Sequence, residues 1–142
     1  MPILNYTTTI SAAKTVAEIQ VILAKAGAES ITVRYGKNGE PFALVFQLAG
    51  ELYMLPCRHG EVYKILARTS GIAAKLRTTE QASRVAWRIV KNWVEAQLAI
   101  IETSMVKADE VFLPYMITHD EKTVYDSFVE QRAERLLEVK KP

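Results

Sequence analysis

The stretch from Thr78 to Leu113, TTEQASRVAWRIVKNWVEAQLAIIETSMVKADEVFL, contains neither proline nor glycine and holds both tryptophans. Its apolar residues Ala82, Val85, Ala86, Ile89, Trp93, Ala96, Ile100 and Ile101 recur at helical spacing, and Met105, Ala108 and Phe112 extend the series. Thr78 and Gln81 stand three apart, the spacing of a reciprocal N-terminal cap. Pro114 disfavours helix at Leu113 and sets the other end. Read this way, the stretch is one helix of roughly 33 residues, about 50 Å long. A compact domain of this size is only about 35–40 Å across. Such a helix must overhang its own domain or pack on another copy, so a homo-oligomer through the C-terminal helices is expected.

The chain before this stretch reads as a helix and a meander. Residues 1–10 are extended in character and suit an edge strand or an arm. A helix is expected from Ala12 or Thr15 to Ala26, with Thr15 and Glu18 at capping-box spacing and Gly27 as its stop. Strands follow at Ser30–Tyr35, Phe42–Leu48 and Glu51–Leu55, separated by Gly36-Lys37-Asn38-Gly39 and Ala49-Gly50. A second helix covers about Gly60–Thr69, and Ile72–Arg77 is a linker. After the long helix, Thr118-His119-Asp120-Glu121 has capping spacing. A last helix, about Asp120–Glu138, would turn Val124, Tyr125, Phe128 and Leu136 toward a partner. The expected fold is α+β: a small antiparallel meander of three or four strands covered by an N-terminal helix, then the long helix and a final helix. With 142 residues, 49% of them apolar, one domain spanning 1–142 is expected, made of a helix-plus-meander half (1–71) and a helical half (72–142).

Charge is unevenly laid out. Residues 1–51 balance, residues 52–91 carry eight cations against Glu61 and Glu80, and residues 92–142 carry six cations against ten acids. A basic middle and an acidic end suit an anionic ligand or head-to-tail self-association. Within the middle, Arg84, Arg88 and Lys91 share one side of the long helix with Trp87, and Lys75 and Arg77 come just before it. Cations in the first turns of a helix oppose its dipole, where an anion is favoured. Arg77, Arg84, Trp87, Arg88 and Lys91 are therefore the candidate ligand- or anion-binding residues, with Trp87 as a stacking surface. The competing reading is a solvated basic face, or ion pairs to the acidic last helix.

Other chemistry is weakly supported. Cys57 and His59 follow the third strand, but neighbours in an extended segment point to opposite sides, which places a thiol–imidazole pair poorly. The alternative is a buried cysteine beside a surface histidine. One cysteine permits no internal disulfide and fits a reducing compartment. His59 and His119 have no partner at ligand spacing, so neither a metal nor another cofactor is expected. Asp109 and Glu110 are adjacent on a helix and do not converge. No signal-peptide pattern and no long apolar run is present, so a cytoplasmic protein without a membrane span is expected. A helix-turn-helix over Glu61–Lys91 is disfavoured by the length of its second helix.

VAWRIVKNWVEAQLAIIE, with DEVFLPYM downstream and MPILNYTTTISAAKTVAEIQVILAKAGA upstream, resembles a family of small uncharacterised proteins encoded by bacterial phages and prophages. The resemblance covers Met1 to about Met116. It implies a phage origin and the cytoplasm of an infected cell, and it carries over neither an activity nor functional residues. The expected function is a non-enzymatic binding protein that inhibits or sequesters a host defence component, including an anionic nucleotide ligand. The alternative is an accessory protein of phage replication or recombination that binds single-stranded nucleic acid.

Overall fold

The computed structural model describes residues 2–139. The single-domain reading extends over Met1 and Lys140–Pro142, which lie outside the described residues. Helix α1 (Ala12–Lys25) leads into strands β1 (Ser30–Tyr35), β2 (Pro41–Leu48) and β3 (Glu51–Pro56), and then α2 (His59–Arg68), α3 (Thr79–Glu102), α4 (Ala108–Phe112) and α5 (Val124–Val139) follow. The strands pair in chain order as an antiparallel meander. The fold is α+β with the expected arrangement of sheet and helices.

Period-two alternation puts one face of the sheet into the core. Register aligns Ile31 with Phe46 and Phe46 with Tyr53, and aligns Val33 with Leu44 and Leu44 with Leu55. Leu44, Phe46, Leu48, Tyr53 and Leu55 are buried, and Val16, Ile19 and Leu23 of α1 join them in one cluster with Trp87 and Val94 of α3. Thus α1 and α3 lie side by side over one sheet face. The β2–β3 hairpin turns on Ala49 (φ 52°) and Gly50 (φ 84°), the left-handed pair of a two-residue turn.

Several boundaries differ from the expectation. Of the expected strand or arm at 1–10, the described residues 2–10 form no strand; their backbone is tied down because the Gln81 side-chain amide donates to the carbonyls of Tyr6 (2.9 Å) and Thr8 (3.0 Å). Gln81 is therefore not the return half of a capping box, although Thr78 Oγ1 does accept from Gln81 N–H at 3.0 Å. Ser11, not Thr15, caps α1 by accepting from Lys14 N–H, and Thr15 is buried inside the helix. Helix α5 starts at Val124, where Thr123 and Asp126 exchange reciprocal side-chain bonds to each other's backbone N–H. Asp120 and Glu121, expected to begin it, are in left-handed conformations that break a helix.

The largest correction concerns the long helix. It ends at Glu102, so its 24 residues span about 36 Å, within the width of the domain. Thr103 Oγ1 donates back to the Ile100 carbonyl at 2.5 Å, and Ser104 takes φ 66°. The chain then reverses into α4, which carries Phe112 into the core. Phe112 meets Phe46 and Tyr53 at ring-centroid distances of 5.5 Å, and Trp93 at 5.7 Å. Ala96 and Ile100, expected in the buried stripe, are exposed. The length argument for an oligomer therefore falls away.

The break supplies a direct test. A left-handed residue with a Cβ costs about 1–2 kcal/mol, which glycine avoids at some cost in unfolded-state entropy. Ser104→Gly is expected to stabilise the protein by about 0.5–1 kcal/mol in urea unfolding. An unbroken helix through this point would instead be destabilised by the glycine.

Candidate functional site

Each residue of the expected basic site has a partner inside the chain. The Arg77 guanidinium donates to three backbone carbonyls at the end of α2 and beyond it: Ala67 at 3.1 Å, Thr69 at 3.0 Å and Ile72 at 3.0 Å. It closes the C-terminus of α2, where carbonyls lack helical partners. Arg84 bonds Glu80 at 2.7 Å, one turn back on its own helix, and Gln81 at 3.3 Å. Arg88 reaches across to α1 and bonds Glu18 at 2.7 Å and Thr15 at 3.3 Å. Lys91 pairs with Glu18 at 3.3 Å and Glu95 at 2.9 Å.

Trp87 is fully buried, with its indole N–H donating to the Pro41 carbonyl at 3.1 Å. It is a core residue joining α3 to the start of β2 and presents no face for stacking. The five residues therefore do not converge on one open surface. The ion pairs were expected, if anywhere, with the last helix; they run to α1 and along α3 instead. Glu18 missed notice because its partners lie about seventy residues away in sequence.

The α1–α3 pairs are partly shielded and share one carboxylate, that of Glu18. The Arg88 hydrogen bond, followed by the opposing effect of desolvation and then Lys91, holds the Glu18 carboxyl below its ordinary value. Bonding to Glu95 leads the upward shift of Lys91.

Near Cys57 the structure favours the plainer reading. Burial pushes the thiol up to about 12, so almost no thiolate exists at neutral pH. Among the described residues no hydrogen bond joins the thiol to His59; their contact is His59 N–H donating to the Cys57 carbonyl at 3.0 Å.

Two hollows were not legible beforehand. The smaller, about 490 Å³, lies where the first turns of α1 and α3 meet the β1–β2 turn, and it includes His59, Ser83, Arg84 and Glu40. Ser83 Oγ and one Glu40 carboxylate oxygen are buried there without a partner in the chain. Glu40 and Glu80 offset Arg84, so this pocket has no net attraction for anions.

The larger is an open cleft of about 1330 Å³ between the C-terminal ends of α1 and α3, the β2–β3 turn and the segment after Ser104. Leu48, Leu98 and Ile101 make it apolar, and Glu51, Glu95, Glu102 and Asp109 outnumber Lys25 and Lys107 among its charged groups. Tyr53 lies against it with its hydroxyl buried and unpartnered in the chain. Burial, and then Asp109 and Glu51, raise the pKa of that hydroxyl. The cleft exists only because the chain turns back at Ser104.

The remaining feature is α5. It has no buried residue, and from Glu130 to Val139 every position is exposed. Tyr125, Phe128, Val129, Arg132, Leu136 and Val139 follow one another at spacings that keep them on one face. Asp126, Glu130, Glu134 and Glu138 recur every fourth residue on the other side. The Arg132 guanidinium lies 5.3 Å from the centre of the Phe128 ring.

Comparison of the chain with protein-family models, curated proteins and solved structures finds no match to any of them. Among the described residues no helix is long and apolar enough to cross a membrane.

Two predictions follow from this geometry. Because the folded Glu18 carboxyl sits below its ordinary value, its stabilisation is complete above the unfolded-state value and is lost as pH falls through the lower folded value. Glu18→Gln is expected to melt below the wild type at pH 7, with the gap closing below about pH 4. Cys57 is expected to resist an alkylating reagent at pH 8 until denaturant is added, as followed by mass spectrometry.

Proposed function

We propose that the protein is a non-enzymatic binding protein whose contact element is α5. One observation carries this reading: a sixteen-residue helix exposes apolar residues along one face, interrupted by Arg132, with Phe128 48% and Leu136 57% accessible. An isolated helix of that length is marginal in water, and an apolar stripe facing solvent gains nothing until another surface covers it. A helix laid into a groove by anchors three or four residues apart is a common mode of protein recognition.

The resemblance to phage proteins supports a host component as the target, blocked by occupancy. The nucleotide-sequestering form of this reading has less support, since Arg84, Arg88 and Lys91 are paired within the chain and Trp87 is buried. A second reading, single-stranded nucleic-acid binding, draws on exposed Arg58 and Arg68 at the two ends of α2, exposed Lys75 beyond it and the exposed ring of Tyr63 within it. Binding through several phosphates would weaken steeply with salt, which separates the two readings.

The test is to identify what co-purifies with the protein from infected cells by mass spectrometry, for the wild type and for Phe128→Asp and Leu136→Asp. Both positions are exposed, so circular dichroism is expected to be unchanged while the specific partner is lost. Retention of that partner by both variants would overturn the proposal.

A further inference from the structure

We propose that the acid-rimmed cleft is a receptor for α5 of a second copy of this chain, so that two copies exchange their last helices. The inference rests on the reading of α5 as a contact element, and gives the same stripe a second copy to meet when no host component holds it.

Two unpartnered features of the same molecule are complementary. The helix face offers Tyr125, Phe128, Val129 and Leu136, with Arg132 among them and Arg135 at its edge. Among the described residues neither arginine forms a salt bridge. The cleft offers Leu48, Leu98 and Ile101, with Glu51, Glu102 and Asp109 around them against Lys25 and Lys107; none of these five charges forms a salt bridge among the described residues, which leaves the cleft one negative charge in excess. The acids of α5 fall on its opposite side, so the face that docks is its cationic one.

Size agrees as well. From Tyr125 to Leu136 the stripe rises about 17 Å, roughly three turns. The 1330 Å³ cleft has room for several large side chains from such a face. Reciprocal docking about a two-fold axis makes the contact twice and closes the assembly, which a one-way contact does not.

The experiment is light scattering on the purified full chain across concentration. The expected mass is twice the chain's 16.0 kDa. Ala99 is exposed on α3 and lines the cleft, so Ala99→Trp fills it without disturbing the core. Ala99→Trp and Leu136→Asp are each expected to return the mass to that of one chain, with unchanged circular dichroism. Glu102→Arg and Arg132→Glu are each expected to weaken the dimer at least tenfold, and the double variant to recover part of the loss.

A monomer at all concentrations would overturn the inference. So would a dimer lost with Leu136→Asp yet indifferent to Ala99→Trp, which would mean stripe-on-stripe pairing of two α5 helices. A monomer whose partner from infected cells still depends on Phe128 and Leu136 would refute self-docking and leave the proposed function standing. A dimer of the expected pattern whose host partner ignores α5 would do the reverse.

Discussion

The packing of Phe112 against Phe46 and Tyr53 is the contact on which the C-terminal half depends. It requires the chain to stop its longest helix at Glu102 and come back. The reversal places Ser104 in a left-handed conformation, at about 1–2 kcal/mol. Burying Phe112 completely contributes about 1.5–3 kcal/mol from area alone, and aromatic pairs add about 0.5–1.5 kcal/mol each. Burial therefore outweighs the local strain, and a sequence without proline or glycine is bent where local propensity would run straight. The bend also creates the cleft, because the returning segment forms one of its walls.

A second constraint is electrostatic. Arginines near the start of α3 conflict with the helix dipole, and an outside anion was one way to offset them. The folded chain supplies its own: Glu80 one turn before Arg84, and Glu18 from the neighbouring helix beside Arg88 and Lys91. Arg88 bonds Glu18 at 2.7 Å with both side chains partly covered between α1 and α3, so the pair serves α1–α3 packing. Arg77 likewise faces backbone carbonyls rather than solvent. Charge density along the sequence thus marks where the elements meet, and the surface left over is differently placed.

That remaining surface has two prominent parts, the largely exposed apolar face of α5 and the apolar cleft. Neither is explained by the stability of the domain, whose core is complete without α5. Both carry charged groups beside their apolar ones, with acids in slight excess in the cleft and arginines on the apolar face of α5.

The strands, the turns and the covering helix were legible because they are written locally: alternation sets the sheet face, Gly50 and Gly39 suit left-handed turns, and Gly27 ends α1. The apolar face of α5 was legible for the same reason, since period alone assigns it. The end of α3 was not, for its only signal was Thr103-Ser104, a pair that tolerates helix and cap alike. Trp87 could be placed on a helix face but not in the core, because its burial depends on Pro41 and the sheet arriving opposite it. Sequence by itself determined which elements form and which faces are apolar, since both follow from backbone geometry and side-chain period. Only the tertiary structure decided which charges are satisfied, where the long helix stops and that a cleft exists, because each depends on residues brought together from distant parts of the chain.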